Sequence, residues 1–173
     1  MLQRQLARFS LAFIVAVSVP AWSSDTDMVK SYAELLAKSY AELFAPVQGA
    51  GAGKALHLIK PDAFLDKVKA KEPLVVLDVR TPAETDVYGV TLPGALMIPI
   101  NELFTPANLA RIPTDRTVVV LCLSGTRATA AGTALRHIGF ENVYILKGGY
   151  KALVAYLGPK EANTPLKPAT PTK

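Results

Sequence analysis

Unbroken apolar runs alternate with helix-period stretches along the centre of the chain. Residues 74–78 read LVVLD and residues 117–121 read TVVVL. A strand with one face in water alternates apolar and polar positions, whereas a continuous apolar run fits a strand covered on both faces, as in a parallel sheet. Shorter runs at 56–59, 96–98 and 142–146 predict three more strands. Between them, residues 61–68 predict a helix, with Pro61 suited to its first position and Asp62 favoured there by the helix dipole. Residues 127–138 predict another, rich in Ala128, Ala130, Ala131, Gly132 and Ala134, with Leu135 and Ile138 extending its face and Gly139 as its stop. A turn at Leu92-Pro93-Gly94-Ala95, a helical turn over 101–104, a tight turn at Gly148-Gly149 and a last helix over 150–157 complete the pattern. Strands alternating with helices predict an α/β domain: a central, mostly parallel five-stranded sheet flanked by helices on both faces.

The ends read differently. The first 23 residues carry Arg4 and Arg8, then an uncharged, mostly apolar run over 9–22, then small residues. That order is expected of a signal peptide, cleaved before Trp22 or Ser24, with export to a bacterial periplasm. The run is shorter than the ~20 residues a spanning helix needs, so membrane attachment is expected only if this segment is not cleaved. Residues 30–45 contain KSYAELLA followed by KSYAELFA, whose offset gathers Tyr32, Leu35, Leu36, Tyr40, Leu43 and Phe44 on one broad helical face. Such a helix docks on its own domain or, alternatively, on a protein partner through residues 28–45 or on a membrane. QGAGAGK at 48–54 reads as a flexible connection. It lacks the spacing of a phosphate-binding loop, with three residues between Gly49 and Gly53 and Ala55 in place of a hydroxyl. The expected organisation is a signal peptide over 1–23, a helical extension and linker over 24–54, a domain over 55–157, and a disordered tail rich in Pro, Thr and Lys over 158–173.

Half of the residues are hydrophobic and 19% charged, enough for a real core, and the net charge is +5. Without Arg4 and Arg8 there remain 17 basic and 14 acidic residues, a net of +3. No basic stripe with interleaved aromatics occurs, so nucleic-acid binding is not expected. The chain has one cysteine and therefore no internal disulfide. In an oxidising compartment a lone thiol is either buried or in use.

That cysteine, Cys122, ends the second long apolar run, in VVVLCLSGTR at 118–127. In an open α/β sheet ligands bind beyond the carboxyl ends of the strands, and a following helix N-terminus offers unpaired N–H groups to an anion. The thiolate is the reactive form, and a free thiol with a pKa near ~8.5 supplies little of it at neutral pH. His57 and His137 stand at no spacing that suggests a Cys-His pair, so structural roles are expected of them. Loop amides, the helix N-terminus and Arg127 remain as stabilisers of the anion. Arg127 suits either bracing of the turn or recognition of an anion.

Four motifs, in this order and spacing, resemble the rhodanese (thiosulfate sulfurtransferase) family over about residues 55–157. They are DVR with TPAE at 78–84, LPGA with a following proline at 92–99, CLSGTR at 122–127 and LKGGY at 146–150. The likeness is to single-domain, exported members. It implies that Cys122 accepts a sulfane sulfur as a persulfide and yields it to cyanide or a thiol, with no metal or other cofactor. Amides of the loop Leu123, Ser124, Gly125, Thr126 and Arg127 would converge on the terminal sulfur. Asp78 and Arg80 match a family element at a neighbouring strand end and are expected to support the loop. Glu84, four residues after Arg80, is expected either to pair with it or to sit solvated at the surface. Related phosphatases hold their oxyanion in a loop with five residues between cysteine and arginine, and here there are four. Phosphatase or arsenate-reductase chemistry is thus the lesser alternative, and a non-catalytic binding module the third. Leu123 and Ser124 are neutral where efficient thiosulfate users of the family often carry basic residues, which leaves thiosulfate, a polysulfide, a persulfide or another protein as the donor.

Overall fold

The computed structural model describes residues 25–165. The expected signal peptide over 1–23, and the expected tail beyond residue 165, lie outside them. Two compact units divide between Ala37 and Lys38. The first contains, among the described residues, the N-terminal part of helix α1 (Asp25–Phe44), which leaves Met28, Val29, Tyr32 and Leu35 exposed. The second unit holds everything that follows, including the last turns of α1. There Tyr40 stacks face to face on His137, with ring centroids 3.9 Å apart, and Ser39 Oγ lies 3.3 Å from His137 Nε2. His137 thus has the structural role expected of it, and so does His57, whose Nδ1 lies 3.0 Å from the Val143 carbonyl oxygen.

The five strands are β1 (Leu58–Ile59), β2 (Leu74–Asp78), β3 (Leu96–Met97), β4 (Thr117–Leu121) and β5 (Val143–Leu146). They form one sheet in the order β1-β5-β4-β2-β3, and every pairing is parallel. The two long apolar runs are the central strands β2 and β4, which need cover on both faces because neither side meets water. Alternation along them sorts the core into two layers. Val118, Val120 and Cys122 pack with Ala128, Ala131 and Leu135 of helix α6 (Thr126–His137), while Val119 and Leu121 pack with Phe64 and Leu65 of α3 (Pro61–Lys69) and with Leu153 of α7 (Gly149–Tyr156). Small residues let α6 approach closely: a Cβ at Gly132 would collide with the Ile145 side chain.

Several elements differ from expectation for local reasons. The connection expected over 48–54 is a 3-10 turn, Gly49–Gly51, running into the short helix α2 (Ala52–Ala55). Residues 101–104 make turns only, and the helix falls just beyond, at α5 (Pro106–Leu109), because Thr105 caps it through the Asn108 N–H and Pro106 takes its first position. Helix α4 (Pro82–Val87) was not expected at all. Its seed is a capping box in which Thr81 Oγ1 accepts from the Glu84 N–H while the Glu84 carboxylate accepts from the Thr81 N–H. Past Gly158 the chain makes one more helix, α8 (Pro159–Ala162), where Glu161 pairs with Lys69 at 2.8 Å, so the expected tail starts with an ordered turn.

The connections leaving β2 and β4 run to opposite sides of the sheet, toward β3 and toward β5 respectively. A crevice at the carboxyl ends of two such strands is where open α/β sheets bind ligands. Asp78 and Leu121 are partners in the β2-β4 register, so the segments following them, at Val79 and at Cys122, emerge there side by side.

Candidate active site

Cys122 directly follows β4 and is 1% exposed. The loop after it turns through Gly125 in the left-handed region, φ 94°, which is the N-cap of α6. Only a residue free of Cβ strain adopts that geometry at little cost, and it swings the next amides back toward the sulfur. Cys122 Sγ accepts N–H groups from Gly125 at 3.2 Å and from Ala128 at 3.4 Å. The sulfur therefore sits in the N-terminal turn of α6, where dipole and free amides favour negative charge. Of the five loop amides expected to converge, Gly125 supplies one donor to this sulfur, and the second comes from Ala128, one residue past the expected set.

The loop is held from behind by α7. Tyr150 N–H donates to the Cys122 carbonyl at 2.7 Å and Lys151 N–H to the Leu123 carbonyl at 2.9 Å. Thr129 closes the turn from the other side, its N–H and hydroxyl donating to the Gly125 carbonyl at 2.8 and 2.9 Å. Ser124 Oγ and Thr126 Oγ1 lie 3.3 Å apart on the exposed rim. Gly149, read from sequence as part of a tight turn, has a larger part. At φ 61° it lies so close to the loop that a Cβ would strike the Cys122 carbonyl and stand 2.6 Å from Gly125 N.

Asp78 and Arg80 form a buried pair beside this loop, 0% and 1% exposed. Arg80 Nε donates to both Asp78 oxygens at 3.0 Å, and Nη2 donates to Oδ2 at 2.7 Å and to the Tyr88 carbonyl at 3.1 Å. Bonding to Asp78 holds the guanidinium pKa above its usual value against the opposing effect of burial. Nη1 has no hydrogen-bond partner. The rings of Tyr88 and Tyr150, with centroids 5.0 and 4.6 Å from the guanidinium carbon, supply cation–π attraction in its place. Arg80 thus reaches the loop through Tyr150, whose N–H grips Cys122. Tyr88 carried no signal in sequence, and Tyr150 none beyond the LKGGY match.

Glu84 is the correction among the expected contacts. It does not pair with Arg80, whose Nε and Nη2 are taken by Asp78 and the Tyr88 carbonyl. Its carboxylate instead meets Arg127 in a two-pronged pair, Nη1 to Oε2 and Nη2 to Oε1, both at 2.7 Å. The hydrogen bonds from Arg127, followed by those from Thr81, bring the Glu84 pKa down to about 2. Arg127 is held protonated in turn, mainly by Glu84 and to a smaller extent by the nearby Cys122 sulfur. A cavity of about 560 Å³ lies beside the loop, lined by Leu123, Tyr88, Tyr150, Lys151, Val154 and Ala155. Among the described residues no group of three or more His, Cys, Asp or Glu is placed to hold a metal ion.

A parallel α/β sheet with a lone cysteine cradled by backbone amides at its topological switch point defines a class of cysteine-loop domains. The chain belongs within it to the rhodanese-like domain family, whose model matches residues 60–156. It is 33% identical to a sulfurtransferase of Allochromatium vinosum over 53% of this chain and 81% of that protein. It is 34% identical to the "Probable adenylyltransferase/sulfurtransferase MoeZ" of Mycobacterium tuberculosis over 58% of this chain, which spans only 25% of that longer relative. The crystal structure of a rhodanese-related protein from Thermoplasma volcanium superposes with a TM-score of 0.51 at 27% identity, covering 60% of this chain and 95% of that one.

Proposed function

We propose that the chain is a rhodanese-type sulfurtransferase that carries a sulfane sulfur on Cys122. The observation that carries this reading is the position of Cys122 Sγ, buried and accepting two backbone N–H groups at the start of α6. In the first step the Cys122 thiolate attacks the outer sulfur of the donor. A sulfur–sulfur bond forms to the protein as the donor's own breaks, and the departing group, sulfite from thiosulfate or a thiolate from a persulfide, leaves with the bonding electron pair. An acceptor such as cyanide or a thiolate then takes the outer sulfur and returns the thiolate. No proton is transferred in either displacement, so no histidine is required. Preorganised amides stabilise the charge on the sulfur without rearranging during the reaction. The rest of the donor or acceptor rests in the cavity beside Leu123.

Intact-mass measurement after incubation with thiosulfate or polysulfide tests this. The wild type should gain the mass of one sulfur atom, cyanide should remove it, and Cys122→Ser should gain nothing. Equal gain by Cys122→Ser, or none by the wild type with either donor, would remove the reading, and turnover of an aryl phosphate at Cys122 without sulfur uptake would replace it with hydrolysis. The basic, apolar, small order of the first 23 residues supports the further proposal that the enzyme is exported to a periplasm.

A further inference from the structure

Within the loop, residues 122–127, Arg127 is the one charged side chain. Both of its terminal nitrogens are engaged by Glu84. Glu84 is itself fixed, because Oε2 also accepts the Thr81 N–H and hydroxyl, each at 3.0 Å, as part of the cap that starts α4. The pairing is therefore built into the end of a helix. The other guanidinium beside the loop, that of Arg80, is paired with Asp78 and lies over the Tyr88 and Tyr150 rings. The sulfur thus accepts from N–H dipoles, and both arginines of the site are matched by carboxylates, while Lys151 lines the cavity beside the loop.

Donors differ in the charge that they bring to such a site. Thiosulfate arrives as a dianion beside a thiolate and releases sulfite, also a dianion. An organic persulfide arrives as a monoanion and releases a thiolate, with its carbon group suited to the cavity wall of Leu123, Tyr88 and Val154. Amide dipoles suffice for the smaller charge, whereas a dianion gains most from a free cation. We propose that Glu84 is a specificity-determining residue: by holding Arg127 it withholds the loop's cation from the donor and turns the site toward organic persulfides over thiosulfate. This rests on the sulfur-transfer reading of Cys122.

The test is Glu84→Gln, which keeps an acceptor for the Thr81 N–H and so preserves the cap. Steady-state rates are measured with cyanide as acceptor and with thiosulfate or ethyl persulfide as donor. For thiosulfate, kcat/KM should rise on the order of tenfold, the worth of one charge-assisted contact, and mostly through KM. For ethyl persulfide it should change by less than about twofold, because a monoanion gains less from the released cation. Combining Glu84→Gln with Arg127→Gln should abolish the gain, and Thr81→Ala, which loosens the cap but leaves the charges, should not reproduce it. Should Glu84→Gln fail to fold, Glu84→Asp, with a shorter reach to Arg127, is read the same way with a smaller gain. Equal change with both donors, or a gain that survives loss of Arg127, overturns the role of Glu84 while leaving the sulfur-transfer reading intact. Absence of sulfur on Cys122 from either donor overturns both.

Discussion

Gly149 marks how little room the loop has at the scale of single residues. Its φ of 61° is a region that side-chain-bearing residues enter at a cost of about 1–2 kcal/mol. Any Cβ there would also press on the Cys122 carbonyl and on Gly125 N. Those are backbone atoms, which cannot swing aside as a flexible side chain would. Gly149→Ala should therefore destabilise the fold by roughly 2–4 kcal/mol, combining the strain and the overpacking, and displace the amides from the sulfur. Chemical denaturation checks the first effect. Sulfur uptake by the protein that remains folded checks the second, and wild-type uptake at reduced stability would separate loop geometry from chemistry.

Among the elements, α4 and α6 are joined by the Glu84–Arg127 pair, and this joint has a pH signature. The folded-state pKa of Glu84, about 2, lies below its ordinary value of 4.5. The group thus stabilises the fold fully above about pH 5.5, and this contribution is lost progressively as the pH falls through 4.5 toward 2. The joint is partly exposed, so its worth is about 1 kcal/mol. The difference in unfolding free energy between wild type and Glu84→Gln should stay constant above pH 5.5 and shrink below 4.5. A difference that persisted at pH 2 would show that the carboxylate charge is not its source. The same joint marks the limit of what sequence discloses about the site. β2 and β4 were legible to the residue because burial on both faces imposes an unbroken apolar code, and Cys122 was legible because β4 ends at it. Helix α4 was written in TPAE as a capping box, a local signal that the family match obscured. The partnership of Glu84 with Arg127 joins residues 43 apart, and nothing in local spacing chooses Arg127 over Arg80. That choice follows from the parallel register, which buries Arg80 against Asp78 and leaves Glu84 facing the neighbouring loop.

For the whole molecule, the division at Ala37 and Lys38 separates the candidate chemistry from most of the duplicated helix. The groups that hold or brace the Cys122 loop, from Asp78 to Lys151, belong to the second unit. So does Tyr40, from the second KSYAEL copy, stacked on His137 at the far end of α6. The first copy offers the same residue types, and its Tyr32 is 64% exposed against 40% for Tyr40. The second copy thus contributes a contact to the second unit, and we propose that the first serves a protein partner. A chain beginning at Lys38 should accordingly take up sulfur at the wild-type rate and keep its thermal midpoint within a few degrees. Tyr40→Ala in the full chain, by contrast, should cost about 1 kcal/mol, because it removes a stacked aromatic contact from the body of the second unit. Intact-mass kinetics and thermal unfolding of the two proteins decide the matter. If the shortened chain loses sulfur uptake while Tyr40→Ala keeps it, the first copy belongs to the reaction, and the proposed division of labour along α1 is wrong.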